Sequence, residues 1–162
     1  MLIKDGVPAP EDLQAVIPSK ERLAKGAVAV IECFQEIPCD HCFKVCPNKA
    51  ISMDGLHGVP KLNENRCVGC GSCLNQCPGQ AIFIVDMSDS RFAKVRFPFE
   101  YLPLPKPGEQ ACGVDREGRE LGWFEVTEVT APLEAGRTRS ITVKVPRELA
   151  QEVRNIKAGG YR

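Results

Sequence analysis

The sequence lacks most of what a nucleic-acid or membrane protein uses. Its 21 basic and 21 acidic residues cancel, so no field of one sign draws it to a nucleic acid or a lipid surface. No stretch approaches the roughly 20 apolar residues of a membrane span. Residues Met1-Leu2-Ile3-Lys4-Asp5-Gly6 do not form the apolar core of a secretory leader. The expectation is a soluble, cytoplasmic chain. There is no phosphate loop, no Rossmann glycine run and no nucleophile elbow. Histidine occurs twice, as His41 and His57, and both are expected on surface loops. Beyond residue 88 there is no histidine and one thiol, Cys112, so that half offers few groups for acid–base or nucleophilic chemistry. An independent enzyme is the least favoured reading, and no catalytic residue is assigned.

Cysteine is what the chain has in excess. It has nine, of which eight lie between Cys33 and Cys77. A disulfide framework suits a small exported protein, and nothing here signals export, so metal ligation is the better account. Cys112 reads as a small buried apolar residue. One run is Cys67-Val-Gly-Cys70-Gly-Ser-Cys73-Leu-Asn-Gln-Cys77-Pro78, or C-x2-C-x2-C-x3-C-P. A second, 31 residues upstream, is Cys39-Asp-His-Cys42-Phe-Lys-Val-Cys46-Pro47, and the tails Ala50-Ile51 and Ala81-Ile82 also match. Cysteines three apart on a tight loop can wrap one corner of a metal cube, while a cysteine just before proline points away toward a second. Zinc is the competing reading, because Cys39-x2-Cys42 and Cys67-x2-Cys70 are spaced much like a zinc ribbon. Four thiolates would satisfy it, leaving Cys46, Cys73 and Cys77 without a purpose.

Three segments follow from composition. Residues 1–26 are a proline-containing arm (Pro8, Pro10, Pro18) that ends in a short helix capped by Ser19 and stopped by Gly26. Residues 27–88 hold the duplicated cysteine loops, with strands at Ala27–Ile31, Ile51–Met53 and Ile82–Val85. Residues 89–162 turn β-rich. Val95, Phe97, Phe99 and Tyr101 alternate with polar residues, and Pro98 suggests a sheet edge. Ala111–Val114 and Glu120–Val129 flank a turn with Gly118. Trp123-Phe124 reads as packing within that hairpin. Ile141, Val143 and Val145 mark another strand. Leu149, Val153 and Ile156, after Pro146, mark a C-terminal helix with one apolar stripe. The fold class expected is α+β: a duplicated cluster domain, then a small, mostly antiparallel β domain, a possible barrel, closed by that helix.

On its cysteine runs, the segment 28–86 resembles a bacterial-type two-cluster [4Fe–4S] ferredoxin domain. The resemblance implies a ferredoxin-like fold in which each cube takes three ligands from one run and the fourth from the other. Carried over, one cube takes Cys67, Cys70, Cys73 and Cys46. The other takes Cys39, Cys42 and Cys77, but its remaining family position is Glu36. Cys33, three residues earlier, is the favoured substitute, with Phe34–Pro38 looped out. A three-iron cluster and a Glu36 carboxylate are the alternatives. Gly69 and Gly71 let backbone N–H groups approach the second cube, whereas the first loop has Pro38 and Asp40 there. The first cube, hereafter cluster one, is therefore expected at the lower potential.

The phrase Glu32-Cys33-Phe34-Gln35-Glu36-Ile37-Pro38-Cys39, with the β-rich tail, is similar to iron–sulfur subunits of multi-subunit flavin-dependent dehydrogenases of amino or imino acids such as proline or hydroxyproline. That likeness implies a hetero-oligomer in which a partner carries the flavin and this chain relays single electrons. A non-catalytic binding or sensing module and a free-standing ferredoxin are the competing readings.

Overall fold

A computed structural model describes residues 2–130 and 138–162. Met1 and residues 131–137, the latter within the β-rich segment, lie outside the described residues. Nine strands and five short helices occur among the described residues. Seven strands form one antiparallel sheet in the order β1-β4-β5-β8-β7-β6-β9, and β2 (Ile51–Ser52) pairs with β3 (Lys61–Leu62) apart from it. The sheet runs across the boundary expected at residue 88. Strand β4 (Ile82–Asp86), from the cysteine-rich segment, pairs with β5 (Ala93–Pro98) from the β-rich one.

Strands β1 (Val28–Ile31) and β4 explain why their sequences are apolar at nearly every position. They pair antiparallel from Val28↔Val85 to Ile31↔Ile82, and both faces are covered. Val28, Val30, Phe83 and Val85 enter the core of the β-rich half, with Phe97, Phe99, Phe124 and Val143. Ala29, Ile31, Ile82 and Ile84 face the cysteine loops, with Ile51 and Leu74. Each large side chain so enclosed contributes roughly 1.5–3 kcal/mol relative to exposure.

The expected barrel is an open sheet. Strand β1 is one border and β9 (Asn155–Ile156) the other, and they do not pair. The outer edge of β1 is occupied by a cysteine loop: Ala29 N–H donates to Cys67 Sγ at 3.5 Å, so that edge is closed to another strand.

The C-terminal helix is also corrected. A single 3-10 turn, Arg147–Leu149, follows Pro146, and the chain then extends. Val153 and Ile156 are buried as expected, but Ile156 pairs with Gly113 on β6 (Gln110–Val114). Arg154 N–H donates to Val114 C=O and Lys157 N–H to Cys112 C=O. The extended chain gives backbone groups on the free side of β6 the partners they would otherwise lack.

Pro98 lies on an interior strand, not an edge one. Phe99 N–H points to Arg139 on the side of β8 (Ser140–Val145), so residue 98 faces the β4 side. Strand β4 pairs with β5 no further than Arg96, and the missing N–H costs no ladder bond. The strand ends there, and Tyr101, expected to face inward, is exposed.

The hairpin between β6 and β7 (Glu120–Thr130) forms as read, with Gly118 at φ +79°. Phe124 is core, while the half-exposed Trp123 ring lies 3.9 Å from the Arg162 guanidinium. The N-terminal arm is more ordered than its prolines suggest. It contains α1 (Leu2–Asp5) and α2 (Pro10–Gln14) before α3 (Lys20–Leu23), and Ser19 caps α3 by accepting from Arg22 N–H. No helix among the described residues is long and apolar enough to cross a membrane.

Candidate metal centres

The duplication seen in the cysteine spacing is repeated in the backbone. Two five-residue helices, α4 (His41–Val45) and α5 (Ser72–Gln76), each follow two cysteines and carry the third. Cys46 and Cys77 then end them in extended conformation before proline. Lys49 and Gln80, 31 residues apart, both take left-handed φ values (49° and 53°), and each donates to the carbonyl of its cysteine, Cys46 or Cys77. Ala50 N–H donates to Cys46 Sγ at 3.2 Å and Ala81 N–H to Cys77 Sγ at 3.4 Å. These turns aim each Cys-Pro sulfur away from its own loop.

Two cavities result. One, of about 350 Å³ including its open mouth, is lined by Cys67, Cys70, Cys73 and Cys46, with Leu62 and Ile84 among its apolar walls. The other, of about 380 Å³, is lined by Cys33, Cys39, Cys42 and Cys77, with Met53 and Ile82. Each holds three cysteines from one run or its approach and one crossing from the other. Glu36 is exposed and outside the second lining. Between Cys33 and Cys39 the backbone turns back on itself, Ile37 N–H donating to Gln35 C=O at 3.0 Å.

The donor chemistry fits an iron–sulfur cube. All eight cysteines of the two linings are free thiols, and three of the sulfurs already accept backbone N–H groups, as cluster thiolates do. A lone zinc ion needs its donors gathered about 2.0–2.3 Å from one point. Among the described residues no three His, Cys, Asp or Glu side chains are gathered in that way. Burial, then the neighbouring thiols Cys67 and Cys70, pushes Cys73 up to about 12, and burial with Cys77 pushes Cys42 up to about 11. Iron must therefore displace protons here, which makes assembly favoured by rising pH.

The loop of cluster two, the cube expected at Cys67, Cys70, Cys73 and Cys46, depends on its glycines. Gly69 has φ +66°, and a Cβ there would lie 2.4 Å from the Ala27 carbonyl oxygen. Gly69→Ala would incur the left-handed cost of about 1–2 kcal/mol and collide with backbone that cannot rotate away. We expect this variant to lose part of its iron, from one cluster only, when iron per chain is measured after anaerobic purification.

Both histidines are exposed, and His57 lies outside helix and strand as expected, but His41 opens α4 and lines the cluster-one cavity, its Nδ1 3.5 Å from Cys39 Sγ. Lys44 approaches Asp40 at 3.9 Å. Cys112 is buried on β6. Sequence reasoning missed the arginines. Arg22 and Arg96 reach the Cys67–Cys70 loop, and Arg116 and Arg154 hold Glu32 beside Cys33. Their partners lie 26 to 122 residues away, so no local pattern marks them.

Comparison with known proteins agrees with the cysteine loops. Residues 37–81 match the family described as 4Fe-4S dicluster domain. Cys33 precedes that span. The chain is 32% identical over 89 residues to Protein Pixie of Drosophila melanogaster, covering 48% of this chain and 15% of the relative. It is 41% identical over 39 residues to the polyferredoxin-like subunit of an aliphatic sulfonate oxidoreductase of Pyrococcus furiosus, covering 24% and 22%. It is 27% identical over 84 residues to F(420)H(2) dehydrogenase subunit I of Methanosarcina mazei, covering 48% of each. The matches thus span from under a sixth to about half of those relatives' lengths. No solved structure matches the chain. These matches support a [4Fe–4S] ferredoxin domain within the cysteine-rich segment.

Proposed function

We propose that this chain is an electron-transfer iron–sulfur subunit, relaying single electrons between a partner flavoprotein dehydrogenase and a further acceptor. The observation that carries the reading is the pair of four-thiol cavities drawn crosswise from two duplicated loops. Cys33, Cys39, Cys42 and Cys77 would hold cluster one, and Cys67, Cys70, Cys73 and Cys46 cluster two. When bound, each cluster supplies a one-electron couple. The chain itself contributes the thiolates, the N–H groups of Ala29, Ala50 and Ala81 at three sulfurs, and apolar walls that limit water.

Likeness to subunits of an oxidoreductase and of a dehydrogenase supports a hetero-oligomer, which on this reading is cytoplasmic. The Cys33-x5-Cys39 spacing and the β-rich tail support a partner that oxidises amino or imino acids and carries the flavin itself. Anaerobic co-purification from the native host tests this. The expected result is brown protein with about eight irons and eight sulfides per chain, bound to a flavin-containing dehydrogenase and reversibly reduced. Colourless, sulfide-free protein overturns the cluster reading; a lone chain with both clusters overturns the partner. Clusters that cannot be reduced reversibly overturn the relay and leave a structural or sensing module. In a resolved redox titration, cluster one should titrate at the more negative potential, because Pro38 and Asp40 stand where cluster two has Gly69 and Gly71.

A further inference from the structure

Two guanidinium groups grip the cluster-two loop from opposite parts of the chain. Arg22, on α3, donates through Nη2 to Cys67 C=O at 2.7 Å and to Ala27 C=O at 2.8 Å. Its other nitrogens reach Glu64 C=O and Gly26 C=O, both at 2.9 Å. Arg96, on β5, donates through Nε to Ser140 Oγ at 2.8 Å and through Nη1 to Cys70 C=O at 3.4 Å. The Arg96 head lies directly over Gly71, where a Cβ would stand 2.6 Å from Nη1. Both side chains are half-buried; Arg96 makes no ion pair among the described residues, and the carboxylate nearest in effect to Arg22 is that of Glu64, which is held by Ser19 and feels the Arg22 charge. Their positive charge is delivered to backbone carbonyls of two consecutive cluster-two cysteines.

Nothing equivalent meets cluster one among the described residues. Its matching position to Gly71 is Asp40, a negative group near Lys44, and Arg116 and Arg154 are bound to the carboxylate of Glu32, the residue before Cys33. A cluster held by four thiolates carries net negative charge that grows by one on reduction. Cations near it therefore favour the reduced form, more so where solvent screening is incomplete.

We infer that Arg22 and Arg96 are positioning residues that bracket the Cys67–Cys70 loop and raise the potential of cluster two above that of cluster one. The inference rests on the two-cluster reading. It also accounts for the segments outside the ferredoxin core, since the N-terminal arm supplies one cation and the β-rich half the other. Together they bias an electron to rest on cluster two.

The test is a redox titration followed by electron paramagnetic resonance on the anaerobic full chain. It compares wild type with Arg96→Gln, Arg96→Lys, Arg22→Gln and Arg22→Lys. Iron and sulfide are counted first; absence of both in wild type would sink the cluster reading itself, separately from the bracket. With clusters present, the expected result is a negative shift of one midpoint in each Gln variant, the same midpoint in both. The other midpoint stays put, and each Lys variant returns most of the shift. If a Gln variant sheds one cluster, retention of that cluster by the Lys variant supports the bracket, and loss from both overturns it. Unmoved midpoints, or equal shifts of both clusters, overturn it as well.

Discussion

Cys33→Ser should remove one cluster and spare the other. Iron and sulfide should each fall from about eight toward about four per chain, with the magnetic signal of cluster two unchanged. The reason is positional. Cys33 lines the same cavity as Cys39, Cys42 and Cys77, at the end of a strand whose alternate residues Ala29 and Ile31 already face the cysteine loops. Glu36, at the position a ferredoxin would use, is exposed and outside that cavity, so Glu36→Gln should leave both clusters intact. Two clusters surviving unaltered in Cys33→Ser would show that Cys33 is no ligand. Loss of a cluster in Glu36→Gln would return the ligand role to the carboxylate.

Glu32→Gln should cost roughly 3–5 kcal/mol, the usual penalty for leaving a buried charge without its partner. Glu32 receives two hydrogen bonds from Arg116, at 2.9 and 2.7 Å, and one from Arg154 at 2.8 Å. Its side chain is 8% exposed, that of Arg116 11% and that of Arg154 4%. The amide would leave two guanidiniums in the interior facing a neutral group. Denaturant unfolding of anaerobic holoprotein measures the loss. A triple replacement of Glu32, Arg116 and Arg154 by apolar residues of similar volume should regain most of it, since no charge then remains buried. A single variant as stable as wild type would show that the triad contributes nothing net.

The same carboxylate sets a dependence on pH. Burial by itself would raise the Glu32 pKa, but the hydrogen bond from Arg116 and the charges of Arg154 and Arg116 outweigh it and hold the group below its ordinary 4.5. Burial lowers Arg154 to about 10, which leaves it charged at neutral pH. A carboxyl depressed in the folded state stabilises fully above its unfolded value, and that contribution is lost as pH falls through the folded one. Below about pH 4.5, wild type should lose stability more steeply than Glu32→Gln, and the gap between them should narrow.

Cysteine positions made the candidate site legible because a cluster loop is local. Three thiols within a seven-residue turn, a proline after the fourth, and a copy of the last three cysteines and proline 31 residues upstream need no knowledge of the remaining chain. The strands were legible for the same kind of reason, since alternation or an unbroken apolar run can be read over five or six residues. The C-terminal segment shows where this stops. Leu149, Val153 and Ile156 have helical spacing and are buried or partly buried, yet the backbone that buries the last of them is an edge strand on β6. Periodicity registers which side chains leave water; it does not choose between a helix and a strand that an unpaired neighbour can satisfy.

From its sequence alone, then, the chain determined its thiol quartets, its internal repeat and the identity of most strands, because each depends on neighbours a few residues apart. Only the tertiary structure decided that both halves share one open sheet, that β1 has cluster loops on one face and the β-rich core on the other, and which arginines face which charges. Those outcomes depend on strand register and on pairs up to 122 residues apart, such as Arg154 with Glu32. A charged side chain looks the same in sequence whether it ends in water or against a buried partner, and the fold alone distinguishes the two.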